Sequence, residues 1–120
     1  MPWTVILLSE VSEWFDGLDS ATAVQVAAAL DLLEERGPAL GRPLVDTLQG
    51  SELPNLKELR PGSVAGTEIR ILFTFDPTRQ AILLTAGDKA GQWKSWYQEH
   101  IPLAEDRYRK WLAGEYDEEE

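Results

Sequence analysis

The sequence contains no cysteine and only one histidine, His100. Without cysteine the chain forms no disulfide, no thiolate zinc site and no thiol nucleophile. One histidine is too few for a histidine-rich metal site, and we predict no metal and no cofactor. No apolar run approaches the roughly 20 residues that span a bilayer, and the first residues lack the basic segment of a signal peptide. We therefore expect a cytoplasmic protein without a membrane partner.

Basic residues are scarce in the first half of the chain. Residues 1–56 carry nine acidic and two basic side chains, whereas residues 57–110 carry seven acidic and nine basic ones, within a formal net charge of -10. Global acidity argues against a general nucleic-acid coat protein but allows a small basic site. The last six residues, EYDEEE, carry only negative charge. We predict one compact domain over residues 1–114 and an acidic disordered tail over residues 115–120.

Hydrophobic periodicity predicts the element order β-α-α-β-β-β-α. The run WTVILL predicts a buried strand over residues 3–8, and a helical hairpin follows it, capped at Asp19 or Ser20 and ending at Gly37. Residues 38–55 are rich in proline and glycine and predict a surface connection. Three strands joined by short connections come next, over residues 56–60, 67–75 and 80–86.

The C-terminal region is helical in pattern from about Gln92 to about Leu112. Pro102 predicts a break near Ile101, because proline suits the first turn of a helix better than its interior. Helices segregated from an antiparallel sheet indicate the α+β class.

Two arginines fall within the predicted strands. Alternation along residues 67–75 places Arg70 opposite the face of Ile69 and Ile71, and Arg60 lies on the neighbouring strand. Two adjacent guanidinium groups repel unless an anion lies between them, and phosphate suits the arginine fork. The alternative is that Arg60 pairs with Glu58 or Glu68, as cross-strand ion pairs do. The spacing alone leaves both interpretations open.

The motifs NLKELRPGS and EIRILFTFDPTRQAILLTAGDKAGQWKSWYQEHIPLAEDRYRKWL resemble the RelE/ParE toxin superfamily, and within it the HigB-like, phage-derived branch. They cover about half of the chain, and the upstream strand and helical hairpin suit the same fold. The resemblance implies a RelE-like antiparallel sheet on which the helical hairpin and the C-terminal helix pack. It also implies a toxin of a type II toxin–antitoxin pair.

Many toxins of this superfamily cleave mRNA on the ribosome without a metal, whereas the ParE branch inhibits DNA gyrase. The resemblance therefore implies a metal-independent mRNA endoribonuclease that uses 2′-OH attack and inhibits translation. Its implied partners are a helix-turn-helix, HigA-like antitoxin, and mRNA with the ribosome as target. The alternative is a non-catalytic binding member, which either inhibits gyrase or acts through its antitoxin complex.

A metal-free ribonuclease needs a base for the 2′-hydroxyl, cations for the phosphorane and an acid for the leaving oxygen. Arg60 and Arg70 match the arginines of the family pattern, and we expect them to hold the phosphate. Lys89, in the loop GDKAG, is the third expected catalytic residue, as acid or base. Relatives often carry paired lysines here, whereas this chain has Asp88, which is either a base or a charge that neutralises Lys89.

Three further residues are expected to bind substrate: Lys57, Trp93 and Tyr97. The aromatic rings suit base stacking, although their helical spacing equally suits packing on the sheet. Lys57 alternates with Arg60 and joins the same site only if the strand has a bulge. For His100 we favour a packing or capping role over catalysis, despite its near-neutral unperturbed pKa.

Overall fold

The computed structural model describes residues 2–116. Its elements, with their bounds, are β1 (Thr4–Leu7), α1 (Ser9–Asp16), α2 (Ser20–Arg36), a 3₁₀ turn (Gly37–Ala39), β2 (Val45–Thr47), β3 (Lys57–Leu59), β4 (Ile69–Asp76), β5 (Gln80–Asp88) and α3 (Trp93–Leu112). The five strands form one sheet in the order β1-β5-β4-β3-β2. The predicted α+β class is confirmed.

The sheet contains one strand more than the sequence predicts. Strand β2 lies in the segment predicted as a surface connection and pairs antiparallel with β3, from Val45 opposite Leu59 to Thr47 opposite Lys57. Val45 is buried in the core, which explains why a three-residue strand forms in a proline-rich segment. Strands β2 to β5 are antiparallel, and β1 joins β5 in parallel at the other edge.

Both faces of the sheet are covered. Ile69, Ile71 and Phe73 of β4 pack on one face with Val26 and Leu33 of α2. The intervening Leu72 lies on the other face, in a cluster with side chains of α3 such as Trp96 and Ala104. The alternation predicted along β4 is therefore confirmed. Because Arg70 precedes Leu72 by two residues, its side chain belongs to the face that α3 covers.

The two ends of α2 lie where the sequence predicts them. The Asp19 side chain accepts a hydrogen bond from the backbone N–H of Thr22 at 3.2 Å, as a helix N-cap does. Gly37 ends α2 with a positive φ of 53°, a conformation that favours glycine.

The predicted break near Ile101 is wrong, because α3 runs without interruption through Pro102. Tertiary contacts offset the hydrogen bond that proline cannot donate. Ala104 and Glu105 on the next turn are buried, and Glu105 accepts hydrogen bonds from Ser51 and from the backbone N–H of Glu52. The carbonyl left without an intrahelical partner belongs to Gln98, which is exposed to water.

The predicted tail begins within a packed segment. The Tyr116 hydroxyl lies 3.1 Å from both carboxylate oxygens of Glu10 in α1, and its ring packs against the α3 side of the core. The boundary predicted at residue 115 thus assigns Tyr116 to the tail, although Tyr116 contacts the domain. Residues 117–120 of the predicted tail lie outside the described residues. Within residues 2–116, no helix has the length and apolar character needed to cross a bilayer.

Gly87 of β5 controls how closely α3 approaches the sheet. A Cβ atom at this position would lie 2.8 Å from Nε1 of the buried Trp96. Overpacking of this kind typically costs about 1–3 kcal/mol, and we expect that loss of unfolding free energy for Gly87→Ala in urea denaturation. Gly41→Ala is the matched control, because a Cβ there meets nothing within 4 Å. Equal stability of the two variants would contradict the close approach of α3.

Candidate active site

A single buried carboxylate, that of Glu58 on β3, lies at the centre of the basic residues. Glu58 is fully buried beneath α3. Its register opposite Leu72 of β4 places it on the α3 face of the sheet. An ionised carboxylate in such a place is stable only if donors and cations surround it. The neighbouring side chains supply both.

The two predicted arginines converge on this carboxylate. Arg60 Nε donates a hydrogen bond to Glu58 Oε1 at 2.9 Å, and Arg70 Nε lies 3.9 Å from the same oxygen. Arg70 also lies 3.7 Å from Glu68 and donates to the carbonyl of Ile69. The anion between the guanidinium groups is therefore a carboxylate of the chain itself. Of the two interpretations left open by the sequence, the ion pair of Arg60 with Glu58 is present in this structure, although its partners are two residues apart along the same segment.

Arg70 is incompletely satisfied in this arrangement. Its Nε is buried and has no hydrogen-bond partner among the described residues, since 3.9 Å is too long for one. Arg60 is better bonded, and it also contacts Asp46 at 3.4 Å, which in turn pairs with the exposed Arg42. Burial opposes the charge of Arg60, but its hydrogen bond and ion pair with Glu58 raise its pKa above the ordinary value.

Tyr97 of α3 connects Glu58 to Lys89. The Tyr97 hydroxyl donates a short hydrogen bond to Glu58 Oε2 and accepts one from Lys89 Nζ at 2.9 Å. The Lys89 ammonium also lies 3.6 Å from the centroid of the Trp93 ring, a cation–π contact. The structure thus brings together five of the six predicted site residues around Glu58, which the sequence indicates only as an ion-pair partner. These five are Arg60, Arg70, Lys89, Trp93 and Tyr97.

The surroundings shift the pKa values of Lys89 and Tyr97 in opposite directions. Burial, and then the positive charge of Arg70, lower the pKa of Lys89. Burial, and then the hydrogen bond to Glu58, raise the pKa of Tyr97 far above its ordinary value. Tyr97 is therefore a neutral donor to Glu58 at neutral pH, and Lys89 loses its proton more readily than an exposed lysine.

Asp88 does not neutralise Lys89 by direct contact. Its Oδ1 accepts hydrogen bonds from the backbone N–H groups of Glu68 and Ala90, both at 2.9 Å. Asp88 therefore shapes the loop that presents Lys89 and bridges it to the start of β4. Neither role considered from the sequence, base or charge partner, describes these contacts.

Lys57 lies apart from the Glu58 cluster. It pairs with Phe73 on the opposite face of the sheet, and its Nζ donates to Thr47 Oγ1 at 2.8 Å. Strand β3 is regular at this point, so the bulge that Lys57 would need is absent from β3.

His100 has a packing role in this structure. Its ring stacks on Trp96 at 4.1 Å, its Nδ1 lies 2.6 Å from Thr85 Oγ1, and burial lowers its pKa. Trp96 is likewise a packing residue, whereas Trp93 is exposed.

The cluster is closed to solvent on most sides. Glu58 is fully buried, the whole Lys89 residue is 3% exposed and the side chain of Arg70 is 13% exposed. The Arg60 side chain, at 34%, is the most accessible of the predicted catalytic residues. Among the predicted catalytic residues, Arg60 is therefore the one that solvent reaches most easily.

Comparisons with known proteins agree with this fold. The family described as phage-derived protein Gp49-like matches residues 13–109. Two candidate toxins of Mycobacterium tuberculosis H37Rv are similar: HigB3, 56% identical over 93% of this chain and 96% of its own length, and HigB2, 54% identical over 92% of this chain and 55% of its own length. An arginine double mutant of the E. coli toxin RelE, in the free state, is 13% identical with a TM-score of 0.61, covering 85% of this chain and 97% of that one.

The Tyr97 hydroxyl contributes to stability as well as to the cluster. Its removal in Tyr97→Phe leaves Glu58 Oε2 without its donor in a fully buried position, which typically costs about 1–3 kcal/mol. We expect that loss in equilibrium urea unfolding. Tyr108→Phe is the matched control, since Tyr108 lies on the same helix and its hydroxyl has no hydrogen-bond partner within residues 2–116. Similar losses in both variants would show that Tyr97 does not hold Glu58.

Proposed function

The chain belongs to the Gp49-like, phage-derived family, the HigB-like branch of the RelE toxin superfamily, and from this premise we propose that it is a metal-independent mRNA endoribonuclease. The toxin inhibits translation by cleaving mRNA on the ribosome, and an antitoxin with a helix-turn-helix domain neutralises it. The observation that carries the proposal is the convergence of Arg60, Arg70, Lys89 and Tyr97 on one buried carboxylate, Glu58.

The arginines hold the scissile phosphate in this proposal. Arg60 is accessible and Arg70 retains an unused Nε donor, so a phosphate that approaches the pair gains hydrogen bonds that Glu58 does not provide. Both groups then stabilise the negative charge that develops on the phosphorane oxygens. Lys89 belongs to the same cluster, and its lowered pKa suits it to protonate the leaving 5′-oxygen.

Tyr97 and Glu58 together act as the base. Because Tyr97 is neutral, it cannot take the 2′-hydroxyl proton unless its own proton leaves at the same time. Glu58 already accepts a hydrogen bond from the Tyr97 hydroxyl, and it therefore receives the Tyr97 proton. The adjacent Lys89 ammonium, 2.9 Å from the phenol oxygen, stabilises the negative charge that forms there during the transfer.

One observation favours a second candidate function. Both arginines already face carboxylates, and most of the cluster is closed. A closed and internally neutralised cluster is what a non-catalytic member would have, acting by binding alone, as a gyrase inhibitor or through its antitoxin complex. Such a protein would keep its toxicity or partner binding when the arginines are removed.

Removal of the arginines separates the two functions. Arg60→Ala and Arg70→Ala each remove a charge-assisted donor, and loss of one such donor typically costs about 10²–10³ in rate. We expect each variant to relieve growth inhibition on induced expression and to slow RNA cleavage. Arg109→Ala is the control, because Arg109 is exposed at the far end of α3. A double Arg60 and Arg70 variant that folds by circular dichroism and remains fully toxic would favour the binding function.

Cleavage is expected to proceed without a divalent ion. The described residues include no group of three or more His, Asp or Glu side chains that could hold a metal, and the arginines supply the positive charge that a metal would otherwise bring. Purified toxin should therefore cut naked RNA in excess EDTA. The double arginine variant, prepared in parallel, controls for contaminating nuclease. Cleavage that appears only when a divalent ion is added back would refute the mechanism.

The acidic face of α2 is the surface that we expect the antitoxin to meet. Asp31, Glu34 and Glu35 are exposed and form no ion pair within the described residues. Reversing the charges at Glu34 and Glu35 to lysine should slow association with the antitoxin several-fold at low salt, because unpaired surface charge steers encounter. Glu99→Lys, an exposed reversal on α3, is the control. An unchanged association rate at low ionic strength would place the antitoxin elsewhere.

A further inference from the structure

A cavity lies beside the Glu58 cluster. Its volume is ≈ 380 Å³, and it opens between α3 and the loop that joins β2 to β3. Tyr97 belongs to both places, since its hydroxyl bonds Glu58 and Lys89 while the residue also lines the cavity. Tyr97 is therefore the residue that connects the cavity to the cluster at which the phosphate is proposed to bind.

The cavity combines flat apolar surface with hydrogen-bond acceptors. Ile101 and Pro102 of α3 and Tyr97 supply surface on which a planar ring packs. The polar groups at the walls are side chains of Gln49, Glu52, Gln98 and Glu105. Lysine and arginine are absent from the lining, so the cavity does not suit a phosphate.

Glu105 is the group that gives the cavity its chemical preference. The residue is only 7% exposed, and its Oε2 accepts hydrogen bonds from the Ser51 hydroxyl at 2.9 Å and from the backbone N–H of Glu52 at 2.6 Å. These two contacts fix the carboxylate. Its Oε1 has no partner within residues 2–116, yet it is not sealed from solvent. A nine-tenths buried carboxylate that lines the cavity thus keeps one oxygen without a partner among the described residues.

We propose that this cavity is a nucleobase subsite of the ribonuclease, and that Glu105 makes it prefer bases with an exocyclic amino group. A carboxylate oxygen accepts a hydrogen bond from the N4 amino group of cytosine and from the amino groups of adenine and guanine. Uracil has no amino group, and its one base-edge donor, N3–H, lies between two carbonyl oxygens that oppose the carboxylate. The inference rests on the proposed function, because it needs RNA at the Glu58 cluster.

Glu105→Gln reverses the preference without removing the loop contacts. The glutamine carbonyl can still accept from Ser51 and Glu52, and its amide nitrogen then replaces the open acceptor with a donor. That donor matches the O4 carbonyl of uracil and opposes the amino group of cytosine. We therefore expect the variant to change its preference between cytosine and uracil rather than to lose RNA binding in general. Glu99→Gln is the matched control, an identical substitution at an exposed position of the same helix.

The test measures binding of dye-labelled 2′-O-methyl pentacytidylate and pentauridylate by fluorescence anisotropy, because 2′-O-methyl RNA cannot be cleaved. We expect the wild type and Glu99→Gln to bind the cytosine oligomer about five- to ten-fold more tightly, the size of one good base contact. Glu105→Gln should lose or reverse this ratio. Equal affinities in the wild type, or an unchanged ratio in Glu105→Gln, would overturn the subsite.

Cleavage distinguishes this inference from the function it rests on. A wild type that prefers cytosine in the binding assay but leaves mRNA intact, both free and on ribosomes, would support the base subsite and contradict the nuclease. A wild type that cleaves through its arginines but binds both oligomers equally would retain the nuclease and lose the subsite.

Discussion

The burial of one negative charge constrains much of the α3 side of this protein. Glu58 lies on the α3 face of the sheet and has no exposure to water. A lone carboxylate in this position would strongly destabilise the fold. Two strands and a helix contribute to its compensation: Arg60 follows β3, Arg70 comes from β4, and Tyr97 comes from α3. Asp46 of β2 holds Arg60 in turn. The arrangement links the position of α3 to the ionisation of a single group.

The same arrangement gives the site its proposed chemistry. The hydrogen bond from the Tyr97 hydroxyl to Glu58 is the path along which the proposal moves the proton. Cations that stabilise Glu58 in the free protein are the cations that a phosphate needs in the complex. The cost is a closed site, since Lys89 and Glu58 lie beneath α3. Gly91, with a φ of 76° just before α3, has a backbone conformation that favours glycine and sets the direction in which the helix starts.

The sequence predicts the scaffold well because its signals are local. Alternation along β4 identifies the faces of Ile71 and Leu72, and Asp19 and Gly37 mark the ends of α2. Local sequence does not predict strand β2, because Val45 is held by its pairing with Leu59 on β3 rather than by residues near it in the sequence. Nor does it predict the continuity of α3 through Pro102, since Glu105 and Ala104 are fixed by contacts more than 20 residues away in sequence.

The candidate site shows a similar division. Arginine spacing identifies Arg60 and Arg70, but the central role of Glu58 depends on a hydrogen bond from Tyr97, 39 residues later. The one signal in the sequence was Glu58 itself, an acidic residue between two basic ones in a short apolar strand. A charged residue at a position that alternation assigns to a covered face indicates a compensated cluster. Lys57 was misleading because proximity in sequence does not fix the face of a strand.

Glu58→Gln tests the central claim most directly, because it keeps the shape of the side chain, removes its charge and basicity, and exchanges one acceptor oxygen for an amide donor. Single-turnover cleavage of RNA and affinity for 2′-O-methyl RNA are to be measured together. If Glu58 receives the proton through Tyr97, cleavage falls by about 10²–10⁴-fold while affinity is unchanged or rises, because the arginines lose a competing anion. A variant that folds and cleaves at the wild-type rate would show that the buried carboxylate is structural alone.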